Sequence, residues 1–411
     1  MTLAADRPVD FLQQHRTPKL LGLVWALLVI NTLGSQGTAA LLPLPRPVSQ
    51  MITMGAVVAA FLVALLLNPR IRLRPSAYLL LLTLVLVVSI VSSARLESGY
   101  GALFRCFRFT MFVATLWLLT AWWDDWLTFI RTHIRALAAV LFTVAAGLAI
   151  SPGDALSEVY GGRLVGVIWP LTPPQIGQYA ATAAGLVILL WLGKYTTSTS
   201  VFVIALPSIG LLLLSHTRTA LLGLVVGLTM ALLALVSTSS RARKVFTRTL
   251  IIGGVTAVVA GAAIQTWFRR GQEDLTELTG RDKVWDALLA APRTLSQEVF
   301  GIGLTNKSFN GLPIDSSWLA VYHEQGYLGL TLVVAYLLTL FAVIALRPPS
   351  FTRAIALFLV VYSVVASYTE AGLGDASPYL LNLTIASVLL ANVNREPGVR
   401  SPEAPRREST P

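Results

Sequence analysis

The stretch Leu211–Leu228, LLLLSHTRTALLGLVVGL, sets one apolar run against another with only Ser215, His216, Thr217 and Arg218 between them. Both runs extend beyond the quoted residues, toward the roughly 20 residues that a helix needs to cross a hydrocarbon core of about 30 Å. The polar residues then fall at one face of a membrane, and Arg218 opens the second helix. An arginine at that place is expensive unless it meets something, and the rest of the chain indicates what it meets.

The surroundings of this stretch are of the same kind. The chain has 411 residues, 55% of them hydrophobic and only 12% charged, with a mean hydropathy of +0.71. An ordinary soluble domain has no surface on which to place such a composition, so the chain is a polytopic membrane protein. About twelve apolar windows of spanning length recur. They lie near 20–42, 50–68, 77–94, 107–123, 134–150, 172–193, 199–214, 218–236, 249–267, 327–346, 354–370 and 378–393. The expected fold is all-α, with a polar, basic segment over 1–19, a transmembrane domain over 20–393 and a disordered tail over 394–411 that is rich in Pro, Arg and Ser. The first segment lacks a small-residue cleavage site and is read as retained. The single cysteine, Cys106, excludes an intramolecular disulfide and reads as a buried thiol.

Lys and Arg residues orient such a chain, because they concentrate on the cytoplasmic side of short loops. With the N-terminus inside and twelve alternating spans, 19 of the 31 basic residues fall on the inner side and both termini are cytoplasmic. The net charge of +11 then serves to anchor the chain against anionic lipid. Nucleic-acid binding is a poor account of charge scattered over short loops. On this topology His15 and His133 belong at the inner surface. The outer side keeps Arg46, Arg95, Arg105, Arg108, Arg163, Arg218, Arg281 and Arg293 among others. Arg46, Arg95 and Arg293 read as arginines that snorkel to lipid headgroups.

Four outer segments carry more. They are GGRLVGVIWPLTPPQIGQYAA with Arg163, Gly166 and Pro170; SHTRTALLGL with Arg218; ELTGRDKVWDALL with Arg281 and Trp285; and FGIGLTNKSFNGLPIDSSWLAVYHEQGYLGL, which closes an external loop of about 268–326, between spans nine and ten. In order and spacing they resemble the O-antigen polymerase and O-antigen ligase (Wzy/WaaL-like) superfamily of integral membrane glycosyltransferases. Those proteins carry an Arg-x-x-Gly…Pro segment, a Ser-x-x-Arg segment opening a helix, a Gly-Arg…Trp segment, and a Gly-x-Gly loop leading to a polar residue and then Glu-x-Gly-x-x-Gly. The last element here is Gly301, Gly303, Asp315, Ser316, Glu324, Gly326 and Gly329. The resemblance covers roughly residues 155–375.

It implies a GT-C-like fold of a bacterial inner membrane that moves a glycan from an undecaprenyl-pyrophosphate carrier to an acceptor hydroxyl on the outer face. It also implies that Arg163, Arg218 and Arg281 contact the pyrophosphate. Guanidinium groups suit that task, since they offer phosphate a planar, bidentate fork that lysine lacks. His216, two residues before Arg218, either joins them or bonds a backbone carbonyl. No cofactor is expected. No metal is expected either, because the adjacent acidic pairs Asp124-Asp125 and Glu273-Asp274 lack a ligand set around them.

Transfer to a hydroxyl needs a general base, and the outer-side candidates are Asp315, His323, Glu324, Glu370 and His216, with Asp315, Glu370 and His323 preferred. Asp315 stands where the ligase branch presents a histidine, which favours a polymerase over a ligase; alternatively, Asp315 caps the helix that begins near Ser316. Glu324 reads as a helix-start carboxylate. The rival outside the family is a transporter or lipid flippase. NPRIRLRPS, between spans two and three, is purely basic and lacks the acidic residue that a major-facilitator signature has there. Expected partners are the lipid-linked glycan, a glycan acceptor, the bilayer and other polysaccharide-assembly proteins.

Overall fold

A computed structural model of the chain describes residues 9–33, 41, 45–156, 158–236, 240–248 and 281–392. The expectations for a span near 249–267, for loop residues 268–280, for residues 1–8 and for the tail 394–411 lie outside the described residues, as do those for the side chains of His15 and Arg46.

Thirteen helices position the site: α1 (Val9–Thr32), α2 (Arg46–Leu67), α3 (Ala77–Ser93), α4 (Gly101–Leu119), α5 (Trp126–Ile150), α6 (Pro173–Leu192), α7 (Leu206–Leu214), α8 (Arg218–Val236), α9 (Arg281–Ala290), α10 (Leu295–Phe300), α11 (Ser317–Leu346), α12 (Phe351–Ala366) and α13 (Pro378–Ala391). Among the described residues, six stretches are long and apolar enough to cross a membrane: Pro47–Leu67, Gly101–Trp122, Trp126–Ile150, Pro173–Leu192, Arg218–Val236 and Ser317–Leu346. Five more apolar helices are shorter. The chain is an all-α membrane protein, and every expected window within the described residues holds a helix.

Local chemistry sets the helix starts. Ser76, Asp125, Ser350 and Ser377 accept a hydrogen bond from the backbone N–H three residues on, which occupies a donor that the first turn leaves open. Prolines occupy the first turns of α2, α6 and α13, where a missing N–H costs nothing. Pro207, by contrast, sits about two turns into the expected window at 199–214. The chain there widens into a π-turn over Val201–Ala205 before α7, with Leu206 N–H donating to Val201 O. A wider turn accommodates a ring that would otherwise press on the carbonyl four residues back.

The loops gather at two ends. At one, Arg74 pairs with Asp124 at 2.5 Å, Asn68 Nδ2 donates to Leu118 O, Asn392 Nδ2 to Trp123 O and Arg131 to Tyr195 O. At the other, Leu164 N–H donates to Leu214 O and Ser317 N–H to Ser367 O, and Ser98 Oγ donates to Ile302 O. The segments that resemble the glycosyltransferase motifs all belong to this second end. Within the bundle, α6 is the central helix, buried along most of its length. Its small residues make that possible: a Cβ on Gly177 would stand 2.6 Å from Thr217 Cβ, so α6 and the turn before α8 approach only because there is none.

Two expectations change. His133 is buried, accepting at Nδ1 from Trp25 Nε1 at 3.0 Å, with Nε2 3.0 Å from Asn382 Oδ1. Its place on the buried face of α5 overrides its nearness to the basic loop. Helix α4 starts at Gly101, ahead of the expected window at 107–123, so Arg105 as well as Arg108 stands within it.

Candidate active site

Arg163 follows Gly161 and Gly162, both in the left-handed region at φ 63° and 69°. This double turn, which glycine adopts without steric cost, swings the arginine back onto the end of α7, where its Nε donates to Ser215 O at 3.0 Å. The loop is closed further on by Gly166, whose N–H donates to Leu171 O at 2.9 Å. Arg218 is the first residue of α8, reached through the turn Ser215–Thr217. Thr217 Oγ1 fastens that turn to α6 by donating to Pro173 O at 3.0 Å. His216 sits in the same turn with φ 47°. Arg281 opens α9, which a small apolar cluster of Leu288, Ile314 and Ala320 holds against the start of α11. Trp285 adds an edge-to-face contact with Tyr368, ring centroids 5.7 Å apart.

These placements bring Arg281 and Arg163 to two carboxylates, with Arg218 near Arg163. Arg281 Nε donates to Asp315 Oδ2 at 3.1 Å, and its Nη2 lies 3.9 Å from Glu370 Oε1. Arg163 lies within the electrostatic reach of Glu370, Arg281, Arg218 and Asp315. The loop carrying Glu370 is fixed on both sides, since Ser317 Oγ donates to Glu370 O at 2.6 Å and Thr369 Oγ1 to Thr219 Oγ1 at 2.9 Å. Asp315 does not cap α11. The cap position is Ser316, and it makes no side-chain bond to the first turn. Its carboxylate is committed to Arg281 across 34 residues of chain.

Burial separates the two acids from their ordinary behaviour. It pushes Asp315 upward, opposed by Arg281 and Arg163. It pushes Glu370 further, to about 8, with Asp315 adding to the rise and Arg281 and Arg163 holding it back. At neutral pH Glu370 therefore keeps its proton and the guanidinium charges outnumber the carboxylates. The Arg163 guanidinium is lowered, first by burial.

A second group lies along α11. Gly301 and Gly303 take positive φ, 73° and 94°, and thread the chain between α3 and α11. Ile302 and Gly303 N–H donate to the carbonyls of His323 and Glu324, and Leu304 N–H donates to Ser93 Oγ. A Cβ on Gly303 would stand 2.8 Å from Ser93 Cα, which explains the Gly-x-Gly in structural terms. Glu324 is not at a helix start. It accepts from Thr305 N and Thr305 Oγ1, both at 2.7 Å, and secures this crossing. Helix α11 then breaks at Gly326, at φ 65° and ψ −164°.

Two arginines read as snorkelling make specific contacts instead. Arg293 Nη2 lies 3.0 Å from His323 Nδ1, with its guanidinium 4.5 Å above the Tyr322 ring. Arg95 donates to Ser296 and stacks over Phe300 at 5.1 Å. A guanidinium can only donate, so His323 Nδ1 is the acceptor and the neutral ring carries its proton on Nε2. Nothing in the local sequence marks Arg293, because its partners sit 29 and 30 residues away. Among the described residues no three His, Cys, Asp or Glu side chains stand close enough together to hold a metal ion.

No protein-family model and no curated protein sequence matches this chain.

Proposed function

We propose that the chain is an inner-membrane glycosyltransferase, a polymerase of undecaprenyl-pyrophosphate-linked oligosaccharide repeat units. In this reading about twelve spans form a GT-C-like domain with both termini in the cytoplasm. The loops gathered with Arg163 and Arg281, including the stretch of about 268–326, face outward, and transfer proceeds there without a metal. The observation that carries the reading is the gathering of Arg163 and Arg281 about Asp315 and Glu370, with Arg218 within the electrostatic reach of Arg163, at one end of the bundle. Departing pyrophosphate gains negative charge, and preorganised guanidinium groups in a partly dry site stabilise it as it develops.

The two carboxyl groups divide the proton chemistry. Asp315, the less strongly raised, is the base for the acceptor hydroxyl, and protonated Glu370 keeps a second negative charge away from the phosphates. His323, with Nδ1 occupied by Arg293, serves as a donor in this scheme. The arginines stand at one end and not along a path through the helices, which favours transfer over translocation. Asp315 in place of a histidine favours polymerase over ligase.

Reconstitution decides among these. Purified protein in liposomes, given lipid-linked repeat units alone and an excess of chelator, makes polymer if the proposal holds. A product that appears only with a separate acceptor makes the enzyme a ligase. Translocation without new glycosidic bonds refutes the enzymatic reading, and loss of turnover in chelator restored by magnesium refutes the metal-free one.

A further inference from the structure

Along the first turns of α11 lies a cavity of about 400 Å³, open to the surface, whose lining includes Arg105, Thr305, Asn306, Ser308, Phe309 and His323. Its walls come from the loop before α4 and the first turns of α4, the crossing around Gly303, a hairpin of β1 (Ser308–Phe309) and β2 (Leu312–Pro313), and α11 with His323. Asn310 and Gly311, at φ 50° and 81°, make the hairpin turn. The walls are preset. Arg105 is held by Leu304 O at 3.2 Å and by Asn306 Oδ1, and His323 is held by Arg293 and by the Phe309 ring, centroids 5.7 Å apart and edge to face.

The lining chemistry is selective. Asn306, Ser308 and Thr305 carry groups that both donate and accept, His323 Nε2–H and Arg105 donate, and Phe309 offers an apolar face. No carboxylate lines the cavity, because Glu324 is turned to Thr305. It carries a single guanidinium, where the carboxylate cluster gathers several, which suits it to an uncharged ligand better than to a doubly charged pyrophosphate. Alternating donors and acceptors beside an aromatic ring suit a ligand with hydroxyls on its rim and C–H groups on its face. The volume lies within the range of small-molecule sites.

We propose that this cavity binds a pyranose ring, separately from the arginine cluster. His323 lies six residues from Ser317 on α11, about 9 Å along the axis. On the transfer reading we assign the ring it holds to the acceptor chain; this role, unlike sugar binding itself, rests on that reading.

The test uses the full-length protein in nanodiscs and an equimolar panel of the methyl glycosides of glucose, galactose, mannose, rhamnose, N-acetylglucosamine and galacturonic acid. Saturation-transfer NMR is expected to show contact with at least one glycoside. That signal is lost in Ser308→Trp, which fills the cavity, and binding weakens about two- to tenfold in His323→Phe, which keeps the ring shape and loses one hydrogen bond to the ligand, besides the Arg293 contact. Thermal melting of both variants establishes that they fold; if Ser308→Trp does not, His323→Phe decides. Contact with no glycoside, or equal contact in wild type and the folded variants, overturns the proposal. Binding of undecaprenyl pyrophosphate, measured on the same wild-type sample, fails separately if the donor reading is the one at fault.

Discussion

Arg281 sits between two acids that respond differently to the same burial, and that difference has a pH signature. Asp315 must lose its proton to act as a base, so turnover falls toward acid as pH drops through a value above the ordinary carboxylate range. Glu370 holds its proton up to about 8. As pH rises through that value a second negative charge appears beside the phosphates, and turnover falls again. The profile of kcat/KM against pH is therefore a bell, and Glu370→Gln, which cannot ionise, removes its alkaline limb. An unchanged limb near pH 8 in that variant contradicts the division of roles. Charged residues were legible where their surroundings are apolar: Arg163, Arg218 and Glu370 stand out beside spans for that reason. Whether Asp315 caps a helix or meets Arg281 was not, since the choice depends on a contact across 34 residues. Arg293 and Arg95 lie in polar loops, where an arginine has no contrast to betray it.

At the scale of elements, the apolar windows are readable because lipid demands continuous runs of about 20 residues. Departures from regular helix are harder to see. The Asn310-Gly311 pair is a hairpin signal, yet strands of two residues show no alternation to support it. The break in α11 depends on Gly326 alone. It divides the segment that carries His323 and Glu324 from the longer apolar run behind it, so the site end and the spanning end of one helix point differently. A Cβ there would stand 2.5 Å from Val299 C and O, besides forcing φ 65° on an L-residue. Gly326→Ala is expected to destabilise the protein by about 1–3 kcal/mol from backbone strain alone, with the α10 contact loosened in addition. Differential scanning fluorimetry in detergent measures it, and a melting temperature equal to wild type refutes this role for the break.

For the whole molecule, the bias of basic residues and the clustering of loops agree on which segments share an end, because alternating helices carry charge to one side or the other. The bias also proposes an orientation, with the site end outside. The chain's one cysteine, Cys106, is buried, so labels report on introduced sites. Leu312→Cys, on the exposed hairpin, should react with an impermeant maleimide from outside, and Arg70→Cys, at the opposite end, only after permeabilisation. The reverse pattern would turn the molecule over and remove its site from the outer face. The account's central claim is that the gathered arginines hold a lipid pyrophosphate. Its most direct measurement is the affinity of undecaprenyl pyrophosphate for the protein in nanodiscs, wild type against Arg218→Lys, Arg218→Ala and the exposed Arg70→Ala at the other end. One charged hydrogen bond is worth about 1.5–3 kcal/mol, so Arg218→Ala should bind about ten- to a hundredfold more weakly. Arg218→Lys should lose much of the same affinity through the missing fork, and Arg70→Ala should bind as wild type does. Equal affinity in all four folded proteins would contradict the claim.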